Sequence, residues 1–439
     1  MNAAVTPFAE SMQEAAAALR LPGSGLAWLD DTRRAALQAF LERGLPDSHN
    51  ELWKYTALRS LAQRHYAAVD VAAVSRAVPR DLLPTSVGEA ACLVFVNGAF
   101  RADLSKLDGL PEGVTLQPLS RALHEQPAPL RFLLGAHNDD DDGFTLLNRA
   151  LAADGVILRI AAGIEVTEPL HIVHAAVAGE VVSAWHSRSL IELGEDAGID
   201  LVEHHVGEPD AGHLANLVCD VTLRDKARLG WTIVQTAGAG QTLLRRSDCR
   251  LGEDAVIDFH ALELGGRLAR HELRVDLVGA RARFQSRGAF VLHDRQHADT
   301  EVLVTHRGRD TTSDSLWRGV ADGRARGVVH GRILVLPGAD GADGGFYNKN
   351  LLLSPSAEID TRPALEIYAD EVKANHGATV GQLDENVLFY LRSRGIPFNV
   401  ARRMLVRAFC AVTLDGIHAI QVREHCEALL SAQLPEATA

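Results

Sequence analysis

Nineteen histidines and five cysteines are the side chains of this chain best suited to holding a metal or moving a proton. The cysteines, Cys92, Cys219, Cys249, Cys410 and Cys426, stand singly. No CxxC pair suggests a zinc ribbon, and no spacing suggests a disulfide framework, so they read as reduced, buried thiols. The histidines include His204-His205, His213, His260, His271, His293, His297, His306, His330 and His376. A lone histidine usually serves hydrogen bonding in a core or on a surface. His376 is set apart because it lies between Asn375 and Gly377, in a turn expected after the last strand, where an imidazole is presented rather than buried. Iron or an iron–sulfur cluster needs several ligands, with thiolate favoured, and no cysteine lies nearby. A metal site at His376 would therefore have to be completed by another subunit. Nucleotide chemistry is not expected: Ala237-Gly238-Ala239-Gly240-Gln241-Thr242 is glycine-rich, but no Gly-Lys-Ser/Thr follows. Gly-x-Ser-x-Gly and His-Glu-x-x-His are also missing, so the chain reads as a non-enzyme.

The elements that must position His376 change character around it. Asn348 to Thr379 reads as short apolar runs between turn residues, and from Asp384 the spacing becomes helical, with Asp384 as N-cap and Gly395 as C-cap. Upstream, a Leu-Gly-x-x-Ala-x-Ile motif recurs around Ala197, Ala227 and Ala255, and in weaker form around Ala282, Ala325 and Ala357. The spacings are 30, 28, 27, 43 and 32 residues. Strand, turn, strand at one period favours a stack of β coils over a sandwich, with a small alanine filling each inward corner. The 43-residue gap is expected to hold an inserted loop at His293-Asp294-Arg295-Gln296-His297.

The rest of the chain flanks this core. Two helices are predicted, over Phe8–Arg20 and Leu26–Arg43, the second with Trp28, Leu29, Ala36, Leu37, Phe40 and Leu41 on one face. Trp53-Lys54-Tyr55-Thr56 reads as a packing anchor rather than a ligand site. Cys92–Val96 followed by Asn97-Gly98 is a strand and turn, and Phe144–Ala152 a short helix. Asp139-Asp140-Asp141-Asp142 lacks the alternation of a calcium loop and is expected to be a solvated boundary. After Gly395, Ala401, Leu405, Ala408 and Phe409 mark a second C-terminal helix, and a third is expected from Asp415 to Leu430. Arg392, Arg394, Arg402, Arg403 and Arg407 form a basic face, either solvated or a dock for an acidic partner. The predicted division is 1–152 helical and mixed, 153–379 parallel β-helix and 380–439 helical.

Composition narrows the setting. A net charge of −13 without a basic stripe argues against nucleic acid, and no apolar run is long enough to span a membrane. The N-terminus shows no signal peptide, so a cytoplasmic protein is expected.

Several stretches resemble the SufD family of the SUF iron–sulfur cluster assembly machinery. They are Glu51 to Thr56, Ser313 to Arg332, Asn348 to Ser354, Pro363 to Asp370, His376 to Gly381 and Phe389 to Gly395. The resemblance implies a mainly β chain, a right-handed parallel β-helix between N-terminal and C-terminal helical regions. It implies a scaffold subunit of the SufBCD complex that pairs with the paralogous SufB, or with itself when alone, and docks the ABC-type ATPase SufC on its C-terminal helices. The docking residues would be Phe389, Tyr390, Arg392, Arg394, Arg402 and Arg403. It further implies that His376 is the metal-site histidine at the SufB–SufD interface, with iron or a cluster present only transiently in the complex. Family members often carry a cysteine two residues before that histidine, where this chain has Ala374. Gly338 to Phe346 also departs from the family pattern, which is expected to loosen the local coil. A cluster-bearing SufB-like chain is opposed by the scarcity of cysteine in the β region. A carbohydrate-active β-helix enzyme fits poorly with the period and the lack of a secretion signal.

Overall fold

The computed structural model describes residues 6–69, 78–84, 88, 90–134 and 142–434. From Val156 the chain lays strands alternately into two sheets. The first sheet takes Val156–Ile160, Ser183–Leu193, Leu214–Leu223, Thr242–Leu251, Leu268–Leu277, His297–His306, Arg326–Val335 and Glu358–Ile367. The second takes Leu170–Ala176, Gly198–Gly207, Arg228–Thr236, Val256–Glu263, Arg283–Leu292, Thr312–Ala321, Asp343–Leu352 and Lys373–Gly381. Neighbours within each sheet are parallel, so equivalent residues stack: Leu201, Trp231, Phe259, Ser286, Ser315 and Phe346 form one inward column. The apolar faces of the two sheets meet in one continuous core. This is a parallel β-solenoid.

Alanine fills one corner as expected. Ala197, Ala227, Ala255, Ala282 and Ala342 each precede a second-sheet strand and are buried. Ala325 and Ala357 sit at the opposite corner, ahead of first-sheet strands. The 43-residue spacing is thus one and a half coils and not an insertion. Thr311 takes the alanine place in the coil between, fully buried and hydrogen-bonded through Oγ1 to His306 Nδ1 at 2.8 Å. His293 to Gln296 is an ordinary turn closed by Gln296 N–H to His293 O at 3.0 Å.

Beside the alanine column runs a column of left-handed residues, Asp196, Lys226, Asp254, Arg281 and Asp310, with φ of 55–61°. Gly341 continues it. That conformation is uncommon for residues with a Cβ. Here each backbone N–H donates to a carbonyl of the next coil, as in Lys226 to Glu253 at 2.7 Å and Gly341 to Glu371 at 2.7 Å. The ladder therefore turns the corner instead of ending at it. Side-chain charge alternates along the column, and Arg281 bonds both Asp254 and Glu253 of the preceding coil. The coil at Gly338 to Phe346 keeps this ladder and buries Ala339 and Ala342, so its composition does not loosen it.

The two ends of the stack differ. At the start, Val114–Pro118 lies antiparallel against Val156–Ile160, and the hairpin Cys92–Val96 with Ala99–Phe100 borders the second sheet. Asn97 and Gly98 supply the two positive φ angles of that hairpin's turn. At the far end, Glu358–Ile367 and Lys373–Gly381 are edge strands.

Helices cover both outer faces. Pro7–Ala18, Ala27–Arg43 and Gly143–Leu151 pack with Trp53 and Tyr66 on the first sheet through Phe8, Phe40, Leu147, Leu214 and Leu244. Phe398–Ala411 and Ile420–Gln433 cover Val202, Val234, Leu262 and Val291 of the second sheet with Val406, Cys410, Val422 and Cys426. Phe398–Ala411 turns Ala401, Val406 and Cys410 inward with Phe409 partly buried beside them, so Ala401 and Phe409 of the predicted face pack as expected, while Ala408 is exposed. The last helix begins at Ile420, because Asp415 to Ala419 forms a loop against His260. Asp142 is no solvated boundary residue: it caps Gly143–Leu151 by accepting from Thr145 N–H at 2.9 Å. Asp139 to Asp141 lie outside the described residues.

Candidate functional site

His376 lies within the edge strand Lys373–Gly381, one position from Gly377, rather than in a turn after it. Its register partner is Phe346, a core side chain, so alternation places the imidazole at the top of that inward column. No further coil covers it, and His376 is exposed. Lys373 N–H donates to Ala342 O at 2.8 Å, so the backbone groups of Ala374, His376 and Ala378 point to the open edge. Across the solenoid, Thr361, Pro363 and Leu365 of Glu358–Ile367 share the inward parity of buried Ile359 but are only half-buried. Ile367, Tyr368 and Val380 are exposed at the same end. An uncovered core layer, free backbone groups and an imidazole coincide there.

The ligands available from this chain are few. All five cysteines are buried, and burial pushes the thiols of Cys92, Cys410 and Cys426 up to about 12. Such thiols stay protonated near neutral pH and are weak nucleophiles. Among the described residues no group of three or more His, Cys, Asp and Glu side chains is arranged to hold a metal ion.

Histidines do stack along the solenoid, as coil periodicity allows. His171 pairs with His204, ring centroids 5.3 Å apart, and His174 with His205 at 5.1 Å. His171 and His204 face outward and meet His425 of the last helix, 5.9 Å from His204. Burial holds His171 neutral, with its pKa down at about 4. His174 and His205 face inward with Glu203, whose Oε2 accepts from Arg245 Nη2 at 2.7 Å. Burial opposes the charge on Glu203, but Arg245 and His205 outweigh it and keep its pKa well below the usual range. This ion pair inside the core was not foreseen, because alternation cannot tell an inward charge from an outward one. It is sealed, with Glu203 and Arg245 both about one-twentieth exposed.

Trp53-Lys54-Tyr55-Thr56 is the anchor its composition suggests. The Trp53 ring lies 4.0 Å from the Arg270 guanidinium and 5.3 Å from Phe144. Thr56 donates to Asp299, and Arg362 of the terminal coil bonds Glu51. Arg270 in turn bonds Asp299 and Glu301. Burial, with Asp299 and Glu272 nearby, raises Glu301 to about 8 against the pull of Arg270.

The candidate docking residues divide. Glu385–Ser393 follows its N-cap Asp384 and buries nothing, leaving Phe389 71% and Tyr390 56% exposed. Arg394 lies over the Tyr390 ring at 5.2 Å and Arg392 over Phe398 at 5.8 Å. With Phe389 and Phe398 exposed beside them, Tyr390, Arg392 and Arg394 make this end of the chain aromatic and basic. Arg402 and Arg403 do not join them: Arg402 bonds Asp322 at 2.9 Å and the Leu353 carbonyl, and Arg403 bonds the Ser431 carbonyl. Arg402 ties its helix to the solenoid, and Arg403 ties the same helix to the last one.

Comparison with known proteins gives two family matches. Residues 13–172 match the SufBD protein N-terminal region, and residues 174–409 match the SufBD core domain of SUF system FeS cluster assembly. The chain is 30% identical over 402 residues to the iron–sulfur cluster assembly protein SufD of Escherichia coli, covering 91% of this chain and 92% of that protein. It is 27% identical to an iron–sulfur cluster assembly SufBD family protein of Synechocystis, over 89% of this chain and 87% of the relative. A SufBD family protein of Mycobacterium tuberculosis is 32% identical over 62% of this chain and 68% of its own length.

Proposed function

This chain belongs to the SufBD family of iron–sulfur cluster assembly proteins, and from that premise we propose that it is the SufD-type scaffold subunit of a SUF complex. The observation that supports this reading is the uncovered end of the solenoid. A core layer left half-buried beside exposed Ile367, Tyr368 and Val380 suits a second protein of the same architecture, the SufB-type paralogue, stacked end to end. His376 would stand at that junction as this chain's ligand to iron or to a nascent cluster, the cargo of the assembly. The remaining ligands would come from the paralogue, since Ala374 offers none and the thiols of this chain are buried. Alone, the same edge could pair two copies of this chain.

ATP hydrolysis is assigned to a SufC-type ATPase. Glu385–Ser393, with Phe389, Tyr390, Arg392 and Arg394, is the surface that would receive it; Arg402 would transmit its motion to the solenoid through its bonds to Asp322 and Leu353, and Arg403 would pass it to the last helix through Ser431.

Co-expression with SufB-type and SufC-type partners, followed by size-exclusion chromatography and iron and sulfide analysis, tests the reading. A ternary complex whose cluster content falls several-fold in His376→Ala, with unchanged thermal stability of the isolated subunit, is the expected result. Unchanged cluster content in that variant removes His376 from the site, and failure to form any complex removes the scaffold role.

A further inference from the structure

The strand that carries His376 has little of its own to hold it down. No residue from Lys373 to Gly381 is buried, and most of its side chains are small or polar. It has one backbone ladder, to Asp343–Leu352, and gains little from apolar burial. Beneath it, in an otherwise apolar layer, lie two asparagines. Asn348 is 0% and Asn350 2% exposed, and both face inward, above Trp317 and Gly319 in register.

Their amides form a closed set. Asn350 Nδ2 donates to Asn348 Oδ1 at 2.6 Å, and Asn348 Nδ2 donates to Asn350 Oδ1 and to the Trp317 carbonyl at 3.3 Å each. Asn350 Nδ2 also donates to the Thr379 carbonyl at 3.1 Å. The set joins three successive strands of the second sheet. Room for it is made by Gly319, where a Cβ would collide with Asn350 Oδ1 and the Phe290 ring.

Buried amides are costly unless fully bonded, and an apolar pair could fill the same space without that cost. What the asparagines supply is a directed bond to the Thr379 carbonyl, three residues from His376. Resting on the reading of His376 above, we propose that Asn348 and Asn350 are positioning residues for the partner-completed site. They secure the edge strand from inside the solenoid, so that the imidazole meets the incoming subunit in one place.

The test uses Asn350→Ala in the full chain, alone and in the reconstituted complex. Hydrogen exchange of the amides in 373–381 should rise roughly tenfold, the order expected for one lost buried hydrogen bond. The thermal midpoint should fall only modestly, by what the unpartnered Asn348 oxygen costs, and complex formation should persist while cluster content falls toward that of His376→Ala. Asn348→Ala keeps the Thr379 bond but leaves the amide unoriented, so it should give the same pattern at smaller amplitude, and it serves if the first variant does not fold. Unchanged exchange in that strand overturns the proposal, as does a rise spread evenly over the solenoid. Parental cluster content in Asn350→Ala, where His376→Ala loses it, does so too. If His376→Ala itself keeps parental cluster content, the reading of His376 fails, and strand exchange alone decides the anchoring.

Discussion

Gly331 faces Phe346 across the core, and a Cβ there would overlap the ring. Gly331→Ala should therefore destabilise the last coils by about 1–3 kcal/mol, the usual cost of overpacking, seen as a lower urea midpoint. Trp53 acts in the opposite way, by filling space between Arg270 and Phe144. Trp53→Ala should cost about 3–5 kcal/mol and loosen residues 50–56 first in limited proteolysis. Both residues illustrate what a sequence can disclose. Trp53 was legible as an anchor because a large aromatic beside a short polar turn has few other uses. Gly331 was not, since its reason lies fifteen positions away in the facing sheet. His376 was picked out correctly as presented rather than buried, yet its strand was read as a turn. Asn375 and Gly377 beside it favour turns locally, and only pairing with Tyr347 and Phe346 makes the segment extended.

At the scale of elements, the coil period was readable wherever alanine recurs and slipped where Thr311 replaces it. The alanines of the two corners look alike, so Ala325 seemed to continue a column to which it does not belong. Helix faces were less legible still. In Phe398–Ala411 apolar residues occur nearly all round; packing against Val320 selects Val406 and Cys410, while Phe409 lies against Arg318. The joint between the last helix and the second sheet also carries a pH dependence. His171, His204 and His425 meet there, all with pKa lowered by burial, His171 to about 4. Unfolded histidine titrates near 6.5, so above that pH both states are neutral and stability is level. As pH falls from about 6.5 toward 4 the unfolded chain takes up protons that the folded one refuses. Each such histidine then costs up to about 1.4 kcal/mol per pH unit. Thermal midpoints should be flat from pH 8 to 7 and fall steadily below 6.5, and His204→Gln should shallow that fall.

For the whole molecule, the helical cover on each face and the capped start leave the open edge and Glu385–Ser393 exposed among the described residues. Because Phe389 and Tyr390 contribute little to the folded core, replacing both with serine should leave the thermal midpoint unchanged while abolishing capture of a SufC-type ATPase in pull-down. A parallel loss of stability would place them in the fold instead. Among the described residues no helix is long and apolar enough to cross a membrane.

The alternating corner column constrains how this solenoid can change length. Asp196, Lys226, Asp254, Arg281 and Asp310 are one coil apart, so excising a single coil from among them would set like signs on adjacent rungs. Removing two neighbouring coils would restore plus against minus. Shortened variants should therefore tolerate deletion in pairs better than singly, with the penalty on odd deletions shrinking in concentrated salt. The chain is in effect counted in twos.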